Sequence, residues 1–282
     1  MGIKDFLKIP LENQNGLTLF NLGKTVTKED FNGLRIAVDG FNILYKAVNS
    51  IKDPLSFNGI VTSHIKILLN IITMFIKNNN TQVWIFDGYV HPLKQKTVEK
   101  RKVKLNQSYL SDTYKILDLC NIKYYKVKKD AEFVCAELIK LNKIDVVYTT
   151  DIDVLIRGGN LLKSVDKGKY YMINYNDIIP YFGTPTKLAK VAVALGCDYS
   201  DKIKRVGPIT VLKKIDIIKF SDEQQQAIDL FLEKFDWRTT IMLENKLVDK
   251  DELENVLNNL KDWLTSLNFS EKSISKYIEI LS

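Results

Sequence analysis

Three short apolar runs in this chain each end at an aspartate, and no other feature limits the possible folds as much. Leu34-Arg35-Ile36-Ala37-Val38 stops at Asp39-Gly40, and Gln82-Val83-Trp84-Ile85-Phe86 stops at Asp87-Gly88. Asp145-Val146-Val147-Tyr148-Thr149 stops close to Asp151. None of them alternates polar with apolar residues, so each reads as a strand buried on both faces. Residues 123–127 form a weaker fourth run, and residues 61–76 carry apolar side chains at helical spacing. Strands of this kind separated by helices predict an α/β fold, with a mostly parallel central sheet and helices on both faces. Ligands of such sheets gather beyond the carboxyl ends of the strands, which is where Asp39, Asp87, Asp151 and Asp153 fall.

After Asp153 the character changes. Residues 170–174 read as one strand of a hairpin turning at Asp166-Lys167-Gly168. From residue 186 the pattern is helical, over 186–195, 209–218, 222–234, 249–266 and a final short piece. The expected organisation is an α/β core over residues 1–199 followed by a helical region over 200–282. With 282 residues, 45% of them hydrophobic, the chain can bury a core of that size. The run 65–76 is too short to span a bilayer and contains Lys66 and Asn70, and the N-terminus lacks the apolar stretch of a signal peptide. Phe6 also breaks the myristoylation pattern. Cys120, Cys135 and Cys197 are scattered, with no paired metal spacing. Free thiols in a reducing intracellular compartment, nucleus or cytoplasm, are therefore expected, and zinc is not.

Three further acids join the four at the strand ends. Asp130-Ala131-Glu132 opens a helical run over 133–141, so Asp130 suits an N-cap and Glu132 the first turn. Asp198 follows the end of the helix predicted over 186–195. Each acid alone has a plainer explanation as a cap or turn residue. Together they do not, because so many anions at one sheet edge repel one another unless cations accompany them. Oxygen ligands without nearby His or Cys favour magnesium or manganese. Such a cluster suits two-metal phosphodiester hydrolysis, in which the ions activate water and stabilise charge on the phosphate and the leaving oxygen. His64 and His91 are the only histidines, and no Ser–His–Asp or Cys–His arrangement competes.

The net charge of +7 is unevenly spread. Residues 94–129 hold eleven Lys or Arg against three Asp or Glu, while the rest of the chain holds thirty against thirty-one. A basic stretch beside an acidic body can attract phosphate backbones while the body holds metals. A solvated Lys-rich helix gives the same composition.

Taken in order, these residues resemble the flap endonuclease family of structure-specific 5′ nucleases. The resemblance runs through Met1-Gly2-Ile3, Val38-Asp39, Thr62-Ser63-His64, Phe86-Asp87-Gly88 and Asp130-Ala131-Glu132. It continues through Thr150-Asp151-Ile152-Asp153 and Leu195-Gly196-Cys197-Asp198-Tyr199, and ends near Gly207-Pro208. It implies a PIN-like nuclease core in which Asp39, Asp87, Asp130, Glu132, Asp151, Asp153 and Asp198 hold two magnesium ions, replaceable by manganese. It further implies that Lys94 and Arg101 are the catalytic basic pair at the base of a helical arch (about 88–129). Tyr45 would stack on a nucleobase next to the scissile bond, although it also suits a core position. Gly2 would lie near the active site, with Lys100 and Lys104 contacting DNA from the arch. A helix–two-turn–helix motif at about 201–218 would hold duplex DNA through Lys204, Arg205, Gly207 and Lys213, with a potassium ion. Pro208 would occupy the first turn of its second helix. The implied enzyme is a monomer acting on DNA with a single-strand/duplex junction (a 5′ flap, nick or gap) in replication, repair or recombination.

The chain departs from the family pattern in several places. Asp130 is one methylene shorter than the usual glutamate, and Arg205 replaces a usual glycine, which weakens the expected potassium site. Only 42 residues separate Asp87 from Asp130, an arch short enough to favour gapped or branched duplexes over threading a flap. Gln225, Ile228 and Phe231-Leu232 echo a sliding-clamp-binding box without its final aromatic pair, and they equally fit the buried stripe of an amphipathic helix. Rival readings are a junction-resolving endonuclease or a 5′–3′ exonuclease of the same superfamily, a PIN-type ribonuclease, and a non-catalytic DNA-binding protein. A dinucleotide-binding protein is excluded, since no Gly-x-Gly-x-x-Gly follows the first strand.

Overall fold

The computed structural model describes residues 3, 5–11, 16–50, 55–99, 105–166 and 168–282. In chain order its strands are β1 (Lys24–Thr27), β2 (Arg35–Asp39), β3 (Ser56–Phe57), β4 (Ile60–Val61), β5 (Thr81–Asp87), β6 (Lys123–Val127), β7 (Val146–Tyr148), β8 (Leu161–Asp166), β9 (Lys169–Ile173) and β10 (Ile241–Glu244). The helices are α1 (Gly40–Asn49), α2 (Ser63–Lys77), α3 (Gln95–Glu99), α4 (Gln107–Leu119), α5 (Ala131–Lys140), α6 (Asp153–Ile156), α7 (Tyr175–Ile178), α8 (Pro185–Leu195), α9 (Val211–Lys214), α10 (Asp222–Leu232), α11 (Lys250–Ser266) and α12 (Glu271–Leu281).

The apolar runs become adjacent strands. The main sheet has the order β1-β9-β8-β7-β2-β5-β6-β10. Its centre, from β8 to β6, is parallel throughout. Antiparallel strands close both edges, β9 and β1 on one side and β10 on the other. Side chains along the central strands alternate between two cores, as period-two geometry requires. Ala37, Ile85 and Val147 join one core with α5, α6 and α8. Ile36, Val38, Trp84, Phe86, Val146 and Tyr148 join the other with α1, α2 and α4. Each strand lacks a polar face because helices cover both sides of the sheet.

From β2 the chain proceeds to β5 and β6 on one side, then crosses back to place β7 and β8 on the other. The strand order therefore reverses between β2 and β7, and a crevice opens at their carboxyl ends. Asp39 ends β2, and Asp151 and Asp153 follow β7 at that point. The close turn into α1 depends on Gly40, where a Cβ would overlap the Phe86 ring.

The fold departs from the sequence expectation mainly after residue 200. The helical run is interrupted by β10, whose apolar residues Ile241 and Leu243 pair with β6. The helix expected over 209–218 shrinks to α9, and Pro208 lies in a turn three residues ahead of it. The α10, α11 and α12 helices pack on α8, α4 and α2, so residues 200–282 complete the same two cores. Among the described residues, no helix is long and apolar enough to cross a membrane.

Gly40→Val should force Phe86 out of place and lower unfolding stability by about 1–3 kcal/mol, the usual cost of overpacking a core. Urea denaturation measures it, and an unchanged midpoint would show that the turn has room to spare.

Candidate active site

The site is assembled from strand ends and the first turns of the helices after them. Asp39 is the last residue of β2 and the N-cap of α1, where it accepts a hydrogen bond from the Asn42 amide (3.1 Å). Its other oxygen accepts from the Thr149 hydroxyl (3.0 Å), and the Asp151 amide donates to that same hydroxyl (3.1 Å). The Asn42 side-chain oxygen accepts from Thr150, so the start of α1 fixes the loop after β7. Asp151 in turn accepts from the Asp153 amide (3.1 Å). Asp87 ends β5 and accepts from the Ala131 amide (2.6 Å), which ties it to the first turn of α5. Gly196, at φ +87, stops α8 and turns the chain so that Asp198 reaches the same edge.

All seven acids expected from the sequence therefore meet. Asp39, Asp130, Glu132, Asp151, Asp153 and Asp198 are buried, and Asp87 is half-buried. Burial raises the Asp39 carboxyl to about 6, with Asp151 adding to the rise. Burial likewise raises Asp87 to about 7, opposed by Lys94 and reinforced by Asp130 and Asp39. Glu132 and Asp153 are pushed well above the usual carboxylate range, again chiefly by burial. Asp151 and Asp198 then add to the rise at Asp153.

Lys94 stands inside this cluster. It closes a 3-10 turn (Pro92–Lys94), and its side chain is buried. Nζ lies 3.0 Å from Asp130 Oδ2 and 3.0 Å from Glu132 Oε1. Burial alone would lower its pKa, but Glu132, Asp130 and Asp87 overcome that and hold the ammonium firmly charged. Asp130 occupies the N-cap position of α5 but makes no capping bond. The capping reading is thus corrected, because that carboxylate is turned toward Lys94 and Tyr199 instead. The fully buried Tyr199 hydroxyl donates to Asp130 and lies 3.2 Å from Glu132. Its position directly after Asp198 was visible in the sequence, but no spacing rule would have joined it to Asp130. Thr97 was also missed; its hydroxyl donates to the Asp198 carbonyl (2.9 Å) and anchors α3 to the site.

Asp153 is fully buried, and among the described residues neither of its carboxylate oxygens has a hydrogen-bond partner. Among the described residues, no three His, Cys, Asp or Glu side chains close tightly enough to grip one ion as they stand. The Lys94 ammonium lies between Asp130 and Glu132. The donors are nonetheless oxygen alone, and an unpartnered buried carboxylate fits a hard divalent ion.

The other expected residues are dispersed. Gly2, Lys100, Arg101 and Lys104 lie outside the described residues. Tyr45 is half-buried on α1. Lys204, Arg205 and Lys213 are exposed and Gly207 is half-exposed, in and after the turns that precede α9. Arg205 adopts φ +62, the left-handed conformation a glycine would take without strain. Ile228 and Phe231 of α10 are buried in the core with α8, so the clamp-like spacing is the helix's inner stripe.

The fold is the PIN-like nuclease fold. The catalytic core of Rad2 in complex with DNA substrate superposes with a TM-score of 0.71 at 20% identity, over 93% of this chain and 97% of that one. Flap endonuclease-1 from Methanococcus jannaschii also gives 0.71, at 21% identity over 92% and 95%. Residues 1–108 match the XPG N-terminal domain. Flap endonuclease 1 of Aedes aegypti is 24% identical over 257 residues, 77% of this chain and 66% of that protein. Over these stretches the chain is similar to the XPG N-terminal domain and to flap endonucleases. It spans about two thirds of the length of the curated relatives it matches.

Asp39 and Asp87 keep protons to about 6 and about 7, against an ordinary value of 3.8. Between those values the folded chain binds more protons than the unfolded chain, so stability falls as pH rises. In EDTA the thermal midpoint should drop from about pH 5 to about pH 8, and Asp87→Asn should flatten the drop. A midpoint that rises across this window contradicts burial as the cause. Separately, Arg205→Gly should be more stable than Arg205→Ala by about 1 kcal/mol in urea, since only glycine relieves a positive φ.

Proposed function

We propose that the chain is a divalent-metal-dependent 5′ nuclease hydrolysing DNA phosphodiester bonds at single-strand/duplex junctions such as 5′ flaps, nicks and gaps. The carrying observation is the cluster of seven carboxylates, six buried and Asp87 half-buried, with the Lys94 ammonium against two of them at the switch point of the sheet. Asp39, Asp87, Asp130, Glu132, Asp151, Asp153 and Asp198 would hold two magnesium ions, with manganese able to replace them. Two such ions, when bound, would supply activated water near neutral pH and offset charge on the phosphate and the leaving oxygen. Lys94 and Arg101 bind the scissile phosphate and balance its charge. For Lys94 this requires its ammonium to exchange Asp130 and Glu132 for phosphate oxygens. Thr97 holds the base of the arch against Asp198, and Tyr199 orients Asp130, keeping that lysine within reach of the acids.

The basic stretch over 94–129 supports attraction of the DNA backbone, as do the exposed Lys204, Arg205 and Lys213. Gly207 and the turn beside it would approach a duplex phosphate, and Tyr45 a nucleobase near the cut. The left-handed Arg205 in place of glycine leaves a weaker potassium site. Residues 1–199 carry the chemistry and 200–282 the duplex contacts, in an intracellular monomer of nucleus or cytoplasm. An arch of 42 residues favours gapped and branched duplexes, so junction resolution by the same site is the second reading.

End-labelled 5′-flap, nicked, gapped and four-way-junction DNAs, incubated with magnesium or EDTA, test this. Magnesium-dependent cutting near the junction is expected. Asp151→Ala and Asp153→Ala should each lose more than about 100-fold of it, since even indirect changes at metal sites cost that much. Both should retain near wild-type affinity for the DNA. Tight binding without cutting in magnesium or manganese would make the chain a DNA-binding protein instead.

A further inference from the structure

A groove of about 910 Å³ opens on the α1/α2 face of the sheet, and none of the seven acids lines it. Its volume lies in the range of small-molecule pockets, ~300–1,000 Å³. The floor is apolar, built from Ile43 on α1, Ile71 and Met74 on α2, and Tyr170 on β9. The rim is cationic. Lys28 pairs with Glu29 (3.6 Å), but no carboxylate pairs with Lys46, Lys77 or Lys276 among the described residues. Lys46 is half-buried, and burial, with Lys163 close by, holds its pKa below that of an ordinary lysine. An anion at this rim would relieve both effects.

Several polar side chains in and beside the groove are already engaged. The Thr73 hydroxyl donates to the Leu69 carbonyl (2.7 Å), and Asn78 Nδ2 donates to the Met74 carbonyl (2.8 Å). The Tyr277 hydroxyl donates to Asn70 Oδ1 (3.0 Å), and the Tyr170 hydroxyl to Met74 Sδ (2.7 Å). A nucleobase on such a floor would leave much of its polar edge unpaired, which is unfavourable. A hydrocarbon tail would lose nothing there and would cover apolar surface.

We propose that this groove binds a single-chain organic anion, its apolar tail on the Ile43/Ile71/Met74 floor and its carboxylate or phosphate head at the lysine rim. This site is independent of the nuclease site. The full chain is titrated with laurate and with dodecyl phosphate below their micelle concentrations, using displacement of 1-anilinonaphthalene-8-sulfonate as the readout. One saturable site per chain is expected, and the tighter of the two ligands identifies the head group. Lys46→Glu should weaken binding by roughly tenfold or more, because it sets a like charge against the head. Lys276→Glu serves as a second variant should Lys46→Glu fail to fold, and Asp151→Ala should bind like the wild type. The proposal is overturned if no saturable site exists, if both glutamate variants bind normally, or if uncharged dodecanol competes as well as laurate. Displacement of the reporter by oligothymidylate, with laurate inert, would overturn it too and give the groove to nucleic acid.

Discussion

Repulsion among buried carboxylates is the force that the surrounding structure holds in check. Parallel strands end in Asp39 and Asp87, and the turns after β7 and α8 deliver Asp151, Asp153 and Asp198 to the same edge. Crowding buried carboxylates at that edge opposes folding. Burial raises the pKa of Asp39, Asp87, Glu132 and Asp153, and each of them also feels other acids of the cluster. The two helix-covered faces of the sheet supply the apolar burial that offsets this cost. Such local destabilisation at a site is the usual companion of activity.

Lys94 and Tyr199 link this electrostatic problem to the basic segment beyond β5. One ammonium shared by Asp130 and Glu132, with one tyrosine hydroxyl between them, is a compact answer to two buried charges. A hydroxyl can donate to a carboxylate without bringing a charge of its own, so Tyr199 orients the pair and Lys94 neutralises it. The segment after β5 is thereby bound to the acids of the site.

The second face of the sheet has a different economy. There α1 and α2 cover β2 and β5, while the region toward β9 is left as a groove with lysines on its rim. The α1 helix serves both places, since its N-cap is Asp39 and Lys46 and Ala47 line the groove two turns later. One short helix thus joins an acidic edge to a basic rim.

The central parallel strands and their helices were legible in the sequence because both-face burial writes continuous apolar runs, and helix period marks α2, α5, α8 and α11. All seven acids were legible for a related reason, as each sits where a run of regular pattern stops. Less legible were β1 and β10, edge strands of four residues whose conformation depends on pairing with β9 and β6 rather than on their own pattern. The length of α9 and the left-handed turn at Arg205 also escaped, since neighbouring packing set them. The sequence by itself determined which side chains carry charge and that each acid would lie where a strand or helix begins or ends. Only the tertiary structure decided that Lys94 would enter the cluster, that Tyr199 would bridge Asp130 and Glu132, and that Asp153 would be sealed without a partner. Those are contacts between residues 36 or more positions apart, and for Asp153 the exclusion of water by the packed core. Periodicity along the chain carries no information about either, because both arise only when distant segments close on one another.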